Sequence, residues 1–279
     1  MGLDIFRLAD GTAVPRLGLG TWRMGESASG QKDEVAALQL GLDLGMTLID
    51  TAEMYGEGGA EKVVAEAIRG RRDEVFVVSK FYPYHAARQQ LVRACEGSLA
   101  RLRVEAIDLY LLHWRGSVPF AETVETLESL VEGGKIRRWG VSNLDVPELE
   151  EIAALDGGAG LVTDQVLYNL AQRGVEFDLL PWCAGRGIPV MAYSPLDQGD
   201  LAEAARLRAI AQRAGVSGAQ LALAWVLRDP NVIAIPKATR LEHVRANRAA
   251  ADVLLDAALL EELDKVFPPP RRKRPLQMV

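Results

Sequence analysis

Cysteine is almost absent from this chain of 279 residues, which holds only Cys95 and Cys183. The two lie far apart in segments of helical periodicity, so neither a disulfide framework nor a thiolate metal site is indicated, and both read as core filler. Long apolar runs are missing too. None reaches the roughly 18 residues of a membrane helix, and the opening MGLDIFRLADG lacks the ordered charged, apolar and small-residue regions of a secretory signal. The protein is therefore expected in the cytoplasm, away from membranes. Positive charge is outnumbered, 32 Lys plus Arg against 38 Asp plus Glu, for a net charge of -6. No global positive field exists to hold a phosphate backbone, which argues against nucleic acid as a partner.

What remains is the ordinary mixture of a folded soluble protein, 49% hydrophobic and 25% charged. At about 100 to 200 residues per domain the length admits one large domain or two smaller ones. No low-complexity linker marks a boundary, so a single domain over residues 1–279, working as a monomer, is expected.

Strand and helix periodicities trade places along the whole chain. Apolar or β-branched runs at 17–22, 47–51, 75–80, 107–114, 136–143, 161–165, 188–195 and 232–236 read as strands. Helical patterns at 32–44, 60–69, 88–103, 121–132, 147–155, 176–186 and between 202 and 228 alternate with them. Eight such units in about 250 residues fit a (β/α)8 barrel. The doubly wound dinucleotide fold lacks its fingerprint: Gly18 and Gly20 are followed by Thr21, Trp22 and Arg23 rather than completing GxGxxG. Within residues 1–16, Asp10-Gly11 between two short apolar runs reads as a β-hairpin that plugs the barrel bottom. At the other end, Pro268 to Pro270 stop the last helix, and the basic run 271–274 makes residues 267–279 read as an extended, solvated tail.

In such a barrel the active site gathers where the strands end. The second strand ends at Asp50 with Tyr55 five residues on, the third at Lys80 and the fourth at His113. Adjacent strands lie about 4.8 Å apart, so Asp50 and Lys80 at equal heights can form a charge-assisted hydrogen bond. A tyrosine of ordinary pKa about 10 donates a proton poorly at neutral pH unless a cation stabilises its phenolate. Lys80 is placed to do that for Tyr55, while neutral His113 can orient a carbonyl oxygen. The set suits carbonyl reduction, in which hydride arriving at carbon builds negative charge on oxygen. Trp22 and Trp114, each directly after a strand-end motif, would wall the substrate.

The segments GLGTW, DTAEMYGEGGAEKVVAEAI, VVSK and LYLLHW resemble signatures of the aldo-keto reductases. TLIDTAEMY, KIRRWGVSNLD, QVLYNL and MAYSPL point to the bacterial branch that includes methylglyoxal reductases. The resemblance covers essentially the whole chain. It implies a catalytic tetrad of Asp50, Tyr55, Lys80 and His113, and NADPH-dependent reduction of small aldehydes and ketones such as methylglyoxal and of aromatic aldehydes. For the cofactor it implies Ser142, Asn143 and Gln165 on the nicotinamide carboxamide and Tyr193 stacked on its ring. Thr21 and Trp22 join this set, with Ser194 and Leu196 at the pyrophosphate, Lys237 at the adenosine phosphate and Asn247 near adenine. The chain departs from the family pattern at Ala238 and His243, where a serine and an arginine are common. A histidine near its reference pKa of about 6.5 grips a 2'-phosphate less firmly than arginine. Arg240 or Arg245 can substitute, so NADPH is expected, with NADH also possible.

Two other functions fit parts of the pattern. One is a nicotinamide-binding redox sensor without turnover. The other is a metal-assisted hydrolase built on Asp50, Glu53, His113 and Asp164, although such sites commonly draw on several histidines and this chain has three. The short tail after Phe267 suggests an open, permissive pocket.

Overall fold

The computed structural model describes residues 2–279. It opens with a hairpin, β1 (Ile5–Arg7) antiparallel to β2 (Ala13–Pro15), with Phe6 opposite Val14. In the turn, Asp10 Oδ1 accepts the Thr12 N–H at 2.9 Å. Leu8 and Val14 of this hairpin join one buried apolar cluster with Leu48 and Leu109, which begin barrel strands, and with Ile233. The hairpin thus plugs the bottom, as its sequence suggests.

Eight parallel strands follow in chain order: β3 (Leu19–Gly20), β4 (Leu48–Asp50), β5 (Phe76–Phe81), β6 (Leu109–Leu112), β7 (Trp139–Ser142), β8 (Leu161–Leu167), β9 (Val190–Tyr193) and β10 (Val232–Ala234). The first and last meet. Gly18 N–H donates to Ala234 O at 2.8 Å and Gly20 N–H to Pro236 O at 3.0 Å, which closes the sheet into a barrel. A Cβ on Gly20 would lie 2.7 Å from the Ile235 carbonyl oxygen, so only glycine permits this seam.

Helices α1 (Gln31–Asp43), α2 (Gly59–Ala67), α3 (Arg88–Leu102), α4 (Phe120–Glu132), α5 (Val146–Ala153) and α6 (Leu179–Ala184) alternate with the strands. The stretch 202–228 resolves into α7 (Asp200–Glu203), α8 (Ala205–Arg213) and α9 (Gly218–Leu227), and α10 (Leu241–Ala250) and α11 (Ala257–Val266) end the chain's regular structure. Helix α6 is shorter than its periodicity suggests, because Asp178 (φ -143) breaks the segment after a turn at Gly174–Glu176. Helix α5 begins at a capping box in which Asp145 and Glu148 each bond the other's backbone N–H.

Side-chain alternation divides the strands. In β6, Leu109 and Leu111 fill the lumen while Tyr110 and Leu112 pack outward under the helices. Cys95 in α3 and Cys183 in α6 are buried in this outer layer, and burial pushes both thiols up, Cys95 to about 12. They are inert filler. Trp139 and Trp225 are likewise buried, and Trp182 lies half-buried beneath the Arg186 guanidinium at 3.9 Å.

Candidate active site

The alternation that fills the lumen with Leu48 and Val78 carries Asp50 and Lys80, two residues on, to its upper end. The register pairs Asp50 with Val78, so Lys80 sits one step higher and their contact is diagonal rather than level. The lysine's length spans the step. Its Nζ donates to Asp50 Oδ2 at 2.8 Å, to Thr51 O at 2.9 Å and to the Tyr55 hydroxyl at 3.1 Å, which uses all three of its donors. Gln165, on the same inner row of β8, donates from Nε2 to Asp50 Oδ1 at 2.7 Å. Lys80 is wholly buried and the Asp50 side chain is 3% exposed, so a charge pair stands in the lumen with every polar atom satisfied. Burial works against the Lys80 ammonium, but the Asp50 charge and then Tyr55 more than offset this and hold its pKa above the usual lysine value.

Tyr55 starts a single turn, Tyr55–Gly58, in which Gly56 (φ 56) takes a left-handed conformation. Its ring lies 4.7 Å from Lys80 Nζ and meets His113 edge-on at 5.9 Å. Burial raises the Tyr55 pKa, Lys80 opposes that and Asp50 adds to it, for a net upward direction. Lys80 acts in the direction that favours the phenolate, and it offsets only part of the desolvation. His113 follows β6 directly, anchored by its N–H to Phe81 O at 3.1 Å. Burial, with a smaller contribution from Lys80, pushes its pKa down to about 2, so the imidazole is neutral at any working pH.

These groups face a cleft of about 1020 Å³ across the C-terminal mouth of the barrel. Of the tetrad and cofactor-site residues expected from the sequence, Lys80 lies beneath it and these line it: Thr21, Trp22, Asp50, Tyr55, His113, Trp114, Ser142, Asn143, Gln165, Tyr193, Ser194, Leu196, Lys237, Arg240, His243 and Asn247. Arg245 is not among them. Ser142 donates to Gln165 O at 2.7 Å, and Asn143 Nδ2 to His113 O at 3.1 Å. Asn143 Oδ1 accepts the Tyr193 hydroxyl at 2.9 Å. The residues proposed for a metal site do not converge. The Glu53 carboxylate is held by the Tyr82 N–H and by His85 Nδ1, both at 2.8 Å, and Asp164 is buried with neither carboxylate oxygen in a hydrogen bond.

Sequence reasoning missed several lining residues. Arg23 and Gln198 line the cleft with left-handed backbone, as do Asn143 and Ser194. Non-glycine residues in that region gather at binding sites, but the signal exists only in coordinates. Met278 and Val279 also line the cleft, which corrects the reading of 267–279 as a solvated tail beside an open pocket. The tail is extended, yet Lys273 is ion-paired to Asp145 and Asp178, and Arg173 holds its start through Asp264 and the Phe267 carbonyl. Pairing partners remote in sequence outweigh the solvation of a basic run.

Residues 16–267 match the aldo/keto reductase family. The chain is 51% identical to methylglyoxal reductase YeaE of Escherichia coli, with 100% of both proteins aligned. The chain belongs to the aldo/keto reductase family. It is 32% identical to glyoxal reductase of Bacillus subtilis, over 94% of this chain and 91% of that one. A crystal structure of an aldo/keto reductase from Klebsiella pneumoniae, in complex with NADP and acetate, superposes with a TM-score of 0.97 at 52% identity, covering 99% of this chain and 100% of that one. As a family member the protein is an NAD(P)H-dependent oxidoreductase of carbonyl compounds.

Proposed function

We propose that this aldo/keto reductase uses NADPH to reduce small aldehydes and ketones, among them methylglyoxal and aromatic aldehydes, with Tyr55 as the general acid. The observation that carries the reading is the Lys80 ammonium held between Asp50 at 2.8 Å and the Tyr55 hydroxyl at 3.1 Å. Similarity to an E. coli methylglyoxal reductase supports the substrate class.

The cleft suits a nicotinamide dinucleotide by the chemistry of its donors. At one end the amides Asn143 and Gln165 and the Ser142 hydroxyl match a carboxamide, beside the Tyr193 ring. At the other, Lys237, Arg240 and His243 offer positive charge to phosphates in a protein that is acidic overall. When bound, the reduced nicotinamide supplies hydride to the carbonyl carbon. The protein's own groups meet the oxygen. Tyr55 donates its proton to it, Lys80 limits the cost of the resulting phenolate, and Asp50 and Gln165 hold Lys80 in place. The His113 Nδ1 atom is buried without a partner. An orphaned lone pair is cheaper there than an orphaned N–H, so the proton resides on Nε2, which donates to the substrate oxygen. Trp22 and Trp114 wall the substrate.

The pH profile follows from these groups. An acid works while protonated, and burial moves Tyr55 upward, so reduction holds its rate through neutral pH and falls only in the alkaline range. His113, at about 2, contributes no limb. A kcat profile that is flat between about pH 5 and 8 is expected, and a histidine-like limb near pH 6.5 would contradict the role given to His113.

Cofactor preference tests the phosphate end. Arg240 is exposed and faces Glu242 at 3.7 Å, which dilutes its charge toward a 2'-phosphate. His243→Arg should raise the NADPH over NADH ratio of kcat/KM by roughly tenfold, chiefly through KM. An unchanged ratio would place the 2'-phosphate away from residue 243.

The deciding experiment follows the absorbance of NADPH in purified protein with methylglyoxal and a nitro-substituted benzaldehyde, with and without chelator. Aldehyde-dependent oxidation that ignores chelator supports the reading. Cofactor binding without turnover would instead leave a redox-sensing module.

A further inference from the structure

We propose that Lys273 is a positioning residue for the carbonyl substrate: by bridging Asp145 and Asp178 it latches the C-terminal strap over the barrel mouth, so that Met278 and Val279 form a wall of the cleft. The proposal rests on the catalytic reading above for its substrate, while the latch itself is a matter of geometry.

The strap is fixed at three places. Arg173 donates to Asp264 Oδ1 at 2.6 Å and to the Phe267 carbonyl, which sets the direction in which the chain leaves α11. Leu276 then packs against the outer apolar core. Between them Lys273 Nζ reaches Asp178 Oδ2 at 2.6 Å and Asp145 Oδ1. All three side chains of this bridge are only partly exposed, at 38%, 24% and 32% for Lys273, Asp145 and Asp178. Lys273 reaches Asp178 at Oδ2 while Oδ1 is buried without a hydrogen bond, so this carboxylate depends on the ammonium for its pairing. Burial opposes the ammonium, but the two carboxylates hold its pKa above the usual lysine value, so the latch stays charged at neutral pH.

The latch acts on the cleft from two directions. Downstream, it delivers Val279 and Met278 beside it to the cleft that Tyr193 also lines. As whole residues they are 65% and 51% exposed, leaving apolar surface at the mouth for a substrate to cover. Upstream, Asp145 caps α5 two residues after Asn143, whose side chain binds both Tyr193 and the His113 carbonyl. Release of Lys273 therefore loosens the apolar wall while the tetrad, at the floor of the cleft, stays intact. The effect belongs in KM rather than kcat.

Lys273→Met and Lys273→Arg separate charge from packing. For Lys273→Met we expect KM for small aldehydes to rise roughly three- to tenfold, with kcat within about threefold of wild type and recovery in Lys273→Arg. Raising salt from about 0.05 to 0.5 M should increase the wild-type KM and leave that of Lys273→Met unchanged. A second variant, Asp178→Asn, is read without turnover: trypsin should cut the bonds after Arg271 and Arg272 several-fold faster than in wild type, with the released tail weighed by mass spectrometry. Equal KM in wild type and Lys273→Met, or equal cleavage of wild type and Asp178→Asn, overturns the latch. If the wild-type protein reduces no aldehyde, the catalytic reading fails while the cleavage rates still decide the latch.

Discussion

Tyr55→Phe is expected to lower kcat for aldehyde reduction by about 10² to 10⁴, the range that a positioned proton donor contributes. The substitution removes one oxygen. The phenyl ring that remains keeps its edge contact with His113, and Lys80 keeps its bonds to Asp50 and to the Thr51 carbonyl. The buried ammonium loses its third acceptor, the Tyr55 hydroxyl, so a modest fall in unfolding temperature is expected while cofactor affinity stays near that of wild type. What goes is the O–H that meets the carbonyl oxygen as charge develops on it. The residual rate measures what the His113 Nε2–H and the ammonium achieve alone. Steady-state kinetics with methylglyoxal, paired with a fluorescence titration of NADPH, checks both halves. Turnover close to wild type would remove Tyr55 from the role of acid.

Gln165 came from the family resemblance, whereas Asp50 and Lys80 were legible because strand alternation repeats every two residues, so a polar residue ending an apolar run stands at the rim of the lumen. Their chemistry was legible for the same reason. The diagonal register was not, since the stagger of strands around a barrel is a property of the closed sheet and not of either strand. Nor was the Gln165 bond to Asp50, made between residues 115 positions apart. The tail shows the limit most plainly. Arg271 to Arg274 have the composition of a solvated segment, and Arg271, Arg272 and Arg274 are indeed exposed. Lys273 differs only because Asp178 and Asp145 stand 95 and 128 positions away, on the surface the strap crosses. The direction of the Tyr55 pKa was likewise out of reach, because Lys80 could be inferred from its strand but the depth of burial that outweighs it could not.

Lys80→Met should abolish reduction and destabilise the fold together, and the two losses can be separated. Breaking a buried ion pair from one side costs about 3 to 5 kcal/mol, because the partner is left charged and unpaired. Here Asp50 would keep only the Gln165 amide, at a site where its side chain is 3% exposed. For a chain of this size that corresponds to a fall of roughly 6 to 20 °C in Tm. Burial already pushes the Asp50 carboxyl up, and Lys80 is the main force in the other direction. Without the ammonium the folded-state pKa rises further above its unfolded value. A group raised in this way favours the folded state below its unfolded pKa and loses that advantage as pH climbs through the folded one. The variant should therefore lie closest to wild type in Tm at acidic pH and furthest from it at neutral and alkaline pH. Adding Asp50→Asn removes the stranded charge, so the double variant should regain much of the lost stability while remaining inactive, since Tyr55 still lacks its cation. Recovery of Tm without recovery of turnover assigns Lys80 to chemistry as well as structure. A Lys80→Met protein that keeps normal turnover, or whose Tm deficit is the same at every pH, would refute the pairing on which the proton-transfer reading rests.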